Sequence, residues 1–554
     1  MINNPILRGF NPDPSLLRVK DDFYIAVSTF EWFPGVIIYH SKDLINWRIL
    51  SRPLDRVELL DMAGNPSSGG VWAPCLSYDK EAGLFYLIYT NVRHWVGSVN
   101  KDSSDGFKDT HNYLTMAADV KGPWSNSIYL NSSGFDPSLF HDDDGRKWLV
   151  NMQWDYRIEK NHFAGILLQE YDPDSRELVG SNKNIFRGTD IGLTEGPHLY
   201  KRNGWYYLIT AEGGTSYGHA VTLARSRKIE GPYEIHPQNP IMTSVRDRNA
   251  FNQAMETGSL APTALHNGLQ KAGHGSMCSW TKDEWILAHL CARPLYGTHY
   301  CPLGRETSLQ KLTWKEDDWP YTVNGIPEDR VFFSGMKSNV EDESEVVSLV
   351  KKYDDFNERV LAPEYHSLRI PADEFISLKD RPGYLRLYGQ ESISSIFRQS
   401  LIARKVQNFR FYAETCLEFY PDDFKQMAGL ILRYDERNQY YLRLSKYEQS
   451  GMNALGIIIF KKGRMEMPLS PEVILTDNRI FLSVEMVDRV IRFYYSIDRK
   501  NWQPIGPKLE SEALSDEIAD PMGFTGMFVG VACQDLSGRR KHADFDYFLY
   551  EERK

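Results

Sequence analysis

Three acidic side chains stand at corresponding places in a recurring motif near the beginning of the chain. Asp13 and Asp136 each directly precede a Pro-x-Leu triplet, and Glu195 precedes another such triplet by one residue more. Carboxylates that a fold brings close together raise one another's pKa, because like charges disfavour ionisation. Carboxyl groups with pKa values moved apart in this way suit general acid and general base catalysis. Such chemistry requires a fold that brings the three residues together.

The Pro-x-Leu motif marks an internal repeat. Its copies begin at Pro14, Pro74, Pro137 and Pro197, which are 60, 63 and 60 residues apart, and Gly275-Ser276-Met277 is a weaker fifth copy. An aromatic and β-branched run follows each copy after polar turn residues, which is typical of a β-hairpin. With the strands that follow, each repeat holds about four short strands, as in the blades of a β-propeller. Tandem sandwiches would need roughly 100 residues per unit, which is too many.

The repeats end before the chain does. A chain of 554 residues exceeds what one hydrophobic core supports, so a second domain is expected. Long alternating strands, such as 409–419 and 480–487, predict a β-sandwich in the remainder. The sequence therefore predicts an all-β protein with a five-bladed propeller over residues 1–325, a linker over 326–350 that contains the acidic stretch 338–345, and a β-sandwich over 351–554.

In a propeller, the first strand of each blade lines the central channel. The residues that open the five repeats are Asp13, Ala73, Asp136, Gly196 (preceded by Glu195) and His274. An aspartate before proline is also a common turn former, but a purely structural aspartate would be expected at Ala73 as well. Recurrence therefore favours a functional role for Asp13 and Asp136. Glu195 is one residue out of register, and strand alternation would turn it away from the channel unless a bulge redirects it.

Composition excludes several other classes of function. The formal net charge of −10 argues against a nucleic-acid-binding surface. No apolar run approaches the roughly 20 residues that span a bilayer, and the N-terminus has no signal-peptide pattern, so we expect a cytoplasmic protein without a membrane partner. Six scattered cysteines indicate reduced, mostly buried thiols: Cys75, Cys278, Cys291, Cys301, Cys416 and Cys533.

Several short motifs occur in order along the chain: Gly9-Phe10-Asn11-Pro12-Asp13-Pro14-Ser15, Val71-Trp72-Ala73-Pro74, Phe135-Asp136-Pro137-Ser138, Thr194-Glu195-Gly196-Pro197-His198, Gly273-His274-Gly275-Ser276 and Cys301-Pro302-Leu303-Gly304-Arg305-Glu306. This ordered set resembles glycoside hydrolase family 43, and in particular its β-xylosidases. The resemblance implies an inverting enzyme with Asp13 as general base, Glu195 as general acid, and Asp136 orienting the acid and raising its pKa. In inverting enzymes the acid and base stand roughly 6.5–9.5 Å apart, which leaves room for the attacking water.

The resemblance also implies a sugar pocket. Phe30, Trp72 and Phe135 would form its apolar walls, and Arg305 would hydrogen-bond the terminal sugar and favour an exo mode. Phe524, which lies between two glycines in Gly523-Phe524-Thr525-Gly526, would reach the pocket rim from the second domain. The residues alone leave alternatives open, since each aromatic can be a core residue and Arg305 can pair with Glu306 on the surface.

His274 opens the fifth repeat. In parts of this family the corresponding histidine holds a divalent cation, often calcium, together with waters. Calcium prefers oxygen ligands, so one imidazole with waters would hold it weakly. The alternative is a neutral histidine that hydrogen-bonds Asp13 or Asp136. No organic cofactor is expected.

The leading hypothesis is an exo-acting, inverting β-xylosidase that releases xylose from the non-reducing ends of β-1,4-xylo-oligosaccharides. An α-L-arabinofuranosidase activity, as the main or a second activity, stays open because the two sugars present similar hydroxyl groups. A non-catalytic carbohydrate-binding propeller has no need of three acids in its channel. The resemblance favours a homo-oligomer, either a dimer or a tetramer.

Overall fold

The chain folds almost entirely into β-strands in a computed structural model that describes residues 1–95, 106–256, 268–336, 350–520 and 522–554. Within these ranges the strands are interrupted by one α-helix, Arg248–Glu256, and by two short 3₁₀ helices, Ala372–Glu374 and Ser511–Leu514. The all-β class predicted from the repeats is confirmed.

The five repeats form five antiparallel sheets whose strands lie in chain order, except that Met242–Thr243 of the fourth sheet pairs with Ala220–Ser226. The first blade contains Ser15–Val19, Asp22–Val27, Ile37–Ser41 and Arg48–Ser51, and the second contains Gly70–Asp79, Leu84–His94, Asp109–Ala117 and Ile128–Asn131. The third contains Ser138–His141, Lys147–Trp154, Phe163–Asp172 and Glu177–Phe186, and the fourth Glu195–Arg202, Trp205–Glu212, Ala220–Ser226, Glu234–Ile235 and Met242–Thr243. The fifth contains Gln270–Ser279, Glu284–Ala292, Glu306–Trp314 and Pro320–Tyr321. The predicted five-bladed propeller is confirmed.

The first strands of neighbouring blades pack around the central axis, and the ring closes between the fifth blade and the first. The serine of the repeated motif links adjacent blades. Ser15 Oγ accepts a hydrogen bond from the Leu76 amide at 3.0 Å, and Ser276 Oγ accepts one from the Leu16 amide at 2.8 Å. Ser138 Oγ donates to the Pro197 carbonyl at 2.7 Å. The motif therefore fixes each channel-lining strand against the next, which sets the positions of the residues that precede it.

The second half of the chain forms a sandwich of two antiparallel sheets. One sheet contains, in spatial order, Ile376–Ser377, Leu385–Tyr388, His542–Glu552, Arg410–Phe419, Arg479–Val487, Val490–Ser496 and Gln503–Glu510, with Lys351–Asp354 also paired to His542–Glu552. The other contains Ser400–Lys405, Phe528–Asp535, Gln426–Asp435, Asn438–Tyr447, Met452–Lys461 and Arg464–Glu466, with Val473–Leu475 also paired to Met452–Lys461. Buried apolar side chains from both sheets form one continuous core between them.

The two domains are joined by backbone pairing and by buried side chains. The short strand Trp32–Phe33 of the propeller pairs with Ser367–Leu368 of the sandwich, and the Trp32 ring stacks on Phe528 with centroids 3.7 Å apart. Arg369 Nε also donates to the Asn65 carbonyl at 2.7 Å. This junction holds the sandwich domain against the same face of the propeller that carries Asp13.

The predicted linker, residues 326–350, is only partly described. Its first part contains the strand Arg330–Val331, which pairs with Ile2–Asn3 near the N-terminus. Residues 337–349, with the acidic stretch 338–345, lie outside the described residues. All six cysteines are free thiols, five of them buried, in line with the prediction. No helix in the described ranges is long and apolar enough to cross a membrane.

Candidate active site

The five positions that open the repeats share one backbone conformation. All five have positive φ, with values of 54°, 34°, 54°, 57° and 48° for Asp13, Ala73, Asp136, Gly196 and His274 respectively. Most side chains disfavour this left-handed region, but aspartate and histidine adopt it more readily than others. The correspondence predicted from the sequence repeat is therefore present in the backbone.

Glu195 lies at a break in the strand register. Glu195 pairs with Ala211 and His198 with Ile209, so the first strand of the fourth blade contains one extra residue, which is a β-bulge. A bulge was the condition under which Glu195 would face the channel. The side chain is buried and lines the same pocket as Asp13 and Asp136. The three acids predicted from the sequence therefore meet in one site.

Hydrogen bonds hold two of the three carboxylates. Ser28 Oγ donates to Asp13 Oδ2 at 2.6 Å and accepts from the Ala73 amide at 2.8 Å. The Gly196 amide, at the bulge, donates to Asp136 Oδ2 at 3.1 Å. The bulge therefore connects the backbone beside Glu195 to Asp136. Ser28 similarly connects Asp13 to the second blade.

Burial and mutual repulsion make these acids harder to ionise. Burial, followed by the charge of Asp13, raises the pKa of Glu195 to about 8, against the opposing charges of Arg305 and Lys108. Burial, followed by the charges of Glu195 and Asp13, raises the pKa of Asp136 well above its ordinary value, although the Gly196 amide opposes this. The site therefore retains protons near neutral pH. The carboxylate whose charge raises the pKa of Glu195 here is Asp13, whereas the sequence prediction gave that effect to Asp136.

The predicted pocket residues form one connected aromatic wall. The Trp72 ring centroid lies 6.0 Å from that of Phe30, 5.4 Å from that of Phe135 and 5.9 Å from that of Phe524. Together with the acids they line a pocket of about 280 Å³. Phe524 comes from the sandwich domain, and its backbone amide donates a hydrogen bond to Ser68 Oγ of the propeller at 2.9 Å. Both domains therefore build the pocket.

Arg305 is buried in the pocket wall, with only 2% of its surface exposed. Its guanidinium carbon lies 4.7 Å from the centroid of the Phe524 ring. The alternative pairing of Arg305 with Glu306 is wrong, because the Glu306 carboxylate binds Arg293 Nε at 2.6 Å and the Gly9 amide at 2.6 Å. Arg305 therefore faces the space in which a ligand would lie.

Sequence reasoning missed several residues that line the pocket. Four of these lining side chains are Trp95, Lys108, Trp154 and Phe163. The Lys108 ammonium lies 4.2 Å from the centroid of the Trp154 ring, and Trp154 Nε1 donates to the Gly106 carbonyl at 3.1 Å. The repeat marks only the beginning of each first strand, so it carries no signal for residues at the ends of outer strands and in loops.

His274 lies beside the acids as a buried, mainly neutral side chain. Its Nδ1 is 3.7 Å from Asp13 Oδ1, which is beyond hydrogen-bond distance. Burial lowers the pKa of His274, although the charge of Asp13 opposes this. Among the described residues, no group of three or more histidine, cysteine, aspartate or glutamate side chains could hold a metal ion. A lone imidazole fits calcium poorly, because Ca²⁺ takes several oxygen ligands.

Comparison with known families agrees with this arrangement. Residues 2–320 match the family described as Glycosyl hydrolases family 43, and residues 353–551 match the Beta xylosidase C-terminal Concanavalin A-like domain. The chain belongs to glycosyl hydrolases family 43. It is therefore a glycoside hydrolase, and enzymes of this family invert the configuration of the anomeric carbon.

Similarity to other family 43 proteins extends over the whole chain. The chain is 46% identical to a beta-xylosidase of Bacillus subtilis (strain 168), with 100% of both chains covered. It is also 46% identical to Xylosidase/arabinosidase 43B of Humicola insolens, with 99% of this chain and 97% of that protein covered. The crystal structure of xylan beta-1,4-xylosidase from Bacillus halodurans C-125 superposes with a TM-score of 0.89 at 50% identity, covering 100% of both chains.

Proposed function

We propose that this family 43 chain is an exo-acting β-xylosidase that releases xylose, with inversion, from the non-reducing ends of β-1,4-xylo-oligosaccharides. The observation that carries the proposal is the pocket itself, in which Asp13, Asp136 and Glu195 face an aromatic wall and a buried arginine. Full-length similarity to proteins named as xylosidases supports the choice of sugar. A non-catalytic sugar-binding propeller would bear the cost of three buried acids without using them.

In this proposal Asp13 is the general base. Its Oδ2 accepts a hydrogen bond from the Ser28 hydroxyl, and this bond fixes the orientation of the carboxylate. Asp13 removes a proton from a water molecule, which attacks the anomeric carbon on the face opposite the leaving group. The bond between the anomeric carbon and the glycosidic oxygen breaks as the new bond forms, so the sugar leaves with inverted configuration.

Glu195 is the general acid. Its raised pKa, about 8, keeps the carboxyl protonated at neutral pH, so that it can donate its proton to the departing glycosidic oxygen. Asp136 accepts a hydrogen bond from the amide of Gly196, the residue next to Glu195. Through this bond at the bulge, Asp136 orients the general acid. After the reaction the proton taken by Asp13 and the proton lost by Glu195 are exchanged with solvent, which restores the starting state.

The size of the pocket favours removal of single sugars. About 280 Å³ is small for a ligand site, whose volumes run from roughly 300 to 1,000 Å³. Phe524 from the sandwich domain covers part of this space and stacks against Trp95 with ring centroids 5.0 Å apart. A pocket of this size suits the terminal residue of an oligosaccharide, with Arg305 donating hydrogen bonds to its hydroxyl groups.

An α-L-arabinofuranosidase activity is the second candidate. The name of the Humicola insolens relative, Xylosidase/arabinosidase 43B, favours it. NMR analysis of the products from xylobiose and from an arabinofuranosyl-substituted xylo-oligosaccharide distinguishes the candidates and reports the anomeric outcome together. Release of α-xylose from xylobiose is the expected result. Release of β-xylose, or cleavage of the arabinosyl substrate alone, would refute the proposal.

Three further expectations stay predictions: a divalent cation at His274, a homo-oligomer and a cytoplasmic location. The proposed roles of Asp13, Glu195 and Asp136 do not involve a cation. Exhaustive chelation followed by addition of Ca²⁺ or Mg²⁺ tests the cation. If the enzyme requires it, activity is lost on chelation and returns on addition; unchanged activity would refute the requirement. Light scattering coupled to gel filtration tests the second, and a monomer would refute it. Cell fractionation tests the third.

A further inference from the structure

A buried cluster of four charged side chains lies where the sandwich domain meets the pocket. Lys271 and Arg305 belong to the propeller, and Asp516 and Glu517 belong to the sandwich domain. Lys271, Asp516 and Arg305 are each less than 5% exposed. Two positive and two negative charges give the cluster no formal net charge. Placing four charges out of water is expensive, and only close pairing with hydrogen bonds offsets the cost.

Three residues of the cluster satisfy one another. Lys271 Nζ donates to Asp516 Oδ2 at 3.0 Å and lies 2.7 Å from Glu517 Oε1. Glu517 also accepts the Cys301 amide at 3.0 Å, and Tyr434 donates its hydroxyl to Asp516 Oδ1 at 2.7 Å. Burial would raise the pKa of Glu517, but the charge of Lys271 and the hydrogen bonds from Lys271 and the Cys301 amide lower it to about 2. The acidic pair is thus held in one place by partners from both domains.

Arg305 is held differently. Its Nη2 lies 3.7 Å from Asp516 Oδ2, an ion-pair distance rather than a hydrogen bond. Within the described ranges, Asp516 is the one carboxylate that comes within 4 Å of the Arg305 guanidinium, and the buried Nε has no hydrogen-bond partner. The guanidinium is therefore fixed by charge and by the Phe524 ring, while its two terminal nitrogens, which donate no hydrogen bond to the described residues, stay available to a ligand.

The geometry points to Asp516 as a positioning residue, which orients Arg305 in the sugar pocket from the sandwich domain. A guanidinium stacked on one ring without a nearby anion could rotate about its long side chain. The carboxylate removes that freedom, and Tyr434 and Lys271 in turn fix the carboxylate. The sandwich domain would then serve catalysis through the contact of Asp516 with Arg305 as well as through the Phe524 ring in the pocket wall. This inference rests on the proposed function only in giving Arg305 a sugar to bind.

A double-mutant cycle tests the inference. We expect Asp516→Asn to lower kcat/KM on an aryl β-xyloside by about 10- to 100-fold, since small displacements of a binding group have effects of this size. Because Asp516 acts through Arg305, the same substitution in an Arg305→Ala background should change kcat/KM less than about twofold. Equal factors in both backgrounds would overturn the inference, because Asp516 would then act independently of Arg305.

Glu517→Gln is the matched control. It removes an adjacent buried charge that pairs with Lys271 but does not reach Arg305 within 4 Å among the described contacts. Its effect on kcat/KM should be the same in the wild-type and Arg305→Ala backgrounds. If it instead loses its effect in the Arg305→Ala background, as expected of Asp516→Asn, the cluster as a whole positions Arg305 and the assignment to Asp516 is overturned. Thermal unfolding of every variant separates loss of fold from loss of positioning.

If Asp516→Asn does not fold, Tyr434→Phe replaces it, because that change removes one hydrogen bond from Asp516 and keeps all charges. A smaller effect with the same dependence on Arg305 is expected, and an effect independent of Arg305 would overturn the inference. A wild-type enzyme that cleaves an aryl α-L-arabinofuranoside and not the xyloside would refute the proposed function. The cycle would then be measured on that substrate, so the two failures are distinguishable.

Discussion

Replacing Glu195 by alanine separates the general-acid step from the rest of the reaction. The glycosidic oxygen of xylobiose is a poor leaving group and needs a proton, whereas 4-nitrophenolate leaves without one. We therefore expect kcat/KM on xylobiose to fall by about 10²- to 10⁴-fold, which is the usual contribution of a general acid. The loss on 4-nitrophenyl β-xyloside should be much smaller. Steady-state kinetics on both substrates gives the ratio.

The electrostatics of the site set the pH dependence of this effect. With a pKa of about 8, roughly 90% of Glu195 is protonated at pH 7, against less than about 1% for a carboxyl at its ordinary value. The protonated form is the active one, so the raised pKa preserves activity as the pH rises towards 8. Wild-type kcat/KM on xylobiose should then fall through about pH 8. If wild-type kcat/KM on the aryl substrate also falls near pH 8, this fall (the basic limb of the pH profile) should be absent from the Glu195→Ala variant.

Glu212→Gln is the control for this experiment. Glu212 is a buried glutamate of the same blade, and burial likewise raises its pKa, but it binds Thr189 and does not line the pocket. This variant can lose stability, but the ratio of its activities on the two substrates should match that of the wild type. Equal losses on both substrates in Glu195→Ala, or a basic limb that persists near pH 8 on the aryl substrate, would refute the assignment of the acid.

Three other substitutions test separate parts of the site. Asp13→Ala should lower kcat/KM on xylobiose and on the aryl xyloside alike, by about 10²- to 10⁴-fold, because both need an activated water; a loss confined to xylobiose would contradict its role as base. Gly196→Ala should lower the unfolding free energy by about 1–2 kcal/mol, because alanine disfavours the left-handed φ of this position. A second loss is expected because the new Cβ would lie 3.1 Å from the His274 ring. Gly145→Ala, with φ of 87° and no atom within 4 Å, measures the first effect alone in chemical denaturation, and equal losses would contradict the contact. Phe524→Ala should lower kcat/KM about tenfold through loss of its ring contacts; unchanged kinetics would exclude it from the pocket.

The fold was accessible from the sequence because its signals are local and repeated. The strand expected over 409–419 is Arg410–Phe419, and the one expected over 480–487 lies within Arg479–Val487. Alternation and turn residues determine such hairpins within a few neighbouring residues. The spatial order of the sandwich strands could not be predicted in this way. His542–Glu552 lies between Leu385–Tyr388 and Arg410–Phe419, and that choice of partners depends on contacts over more than 100 residues.

The site was accessible only in part. Asp13 and Asp136 follow from their place in the repeat, whereas Glu195 needed the family motif because a bulge is a cross-strand feature that its own strand does not reveal. Lys271 and Asp516 carry no sequence signal at all. Each looks like an ordinary polar residue in a strand or loop, and only the packing of two domains brings Asp516 to Lys271 and Arg305.

The left-handed residue that opens each blade has a consequence for how such a site can change. One socket occurs five times around the axis and holds aspartate twice, alanine, glycine and histidine once each. The backbone amides of two of these residues are hydrogen-bonded to side chains of neighbouring blades, that of Ala73 to Ser28 Oγ and that of Gly196 to Asp136 Oδ2. Since the same left-handed position opens every blade, a single substitution there changes the group that faces the channel while the blade architecture stays the same. Ala73 and Gly196 carry no functional group at this position, and Ala73 already has a Cβ there, which makes it the natural place to install a fourth group.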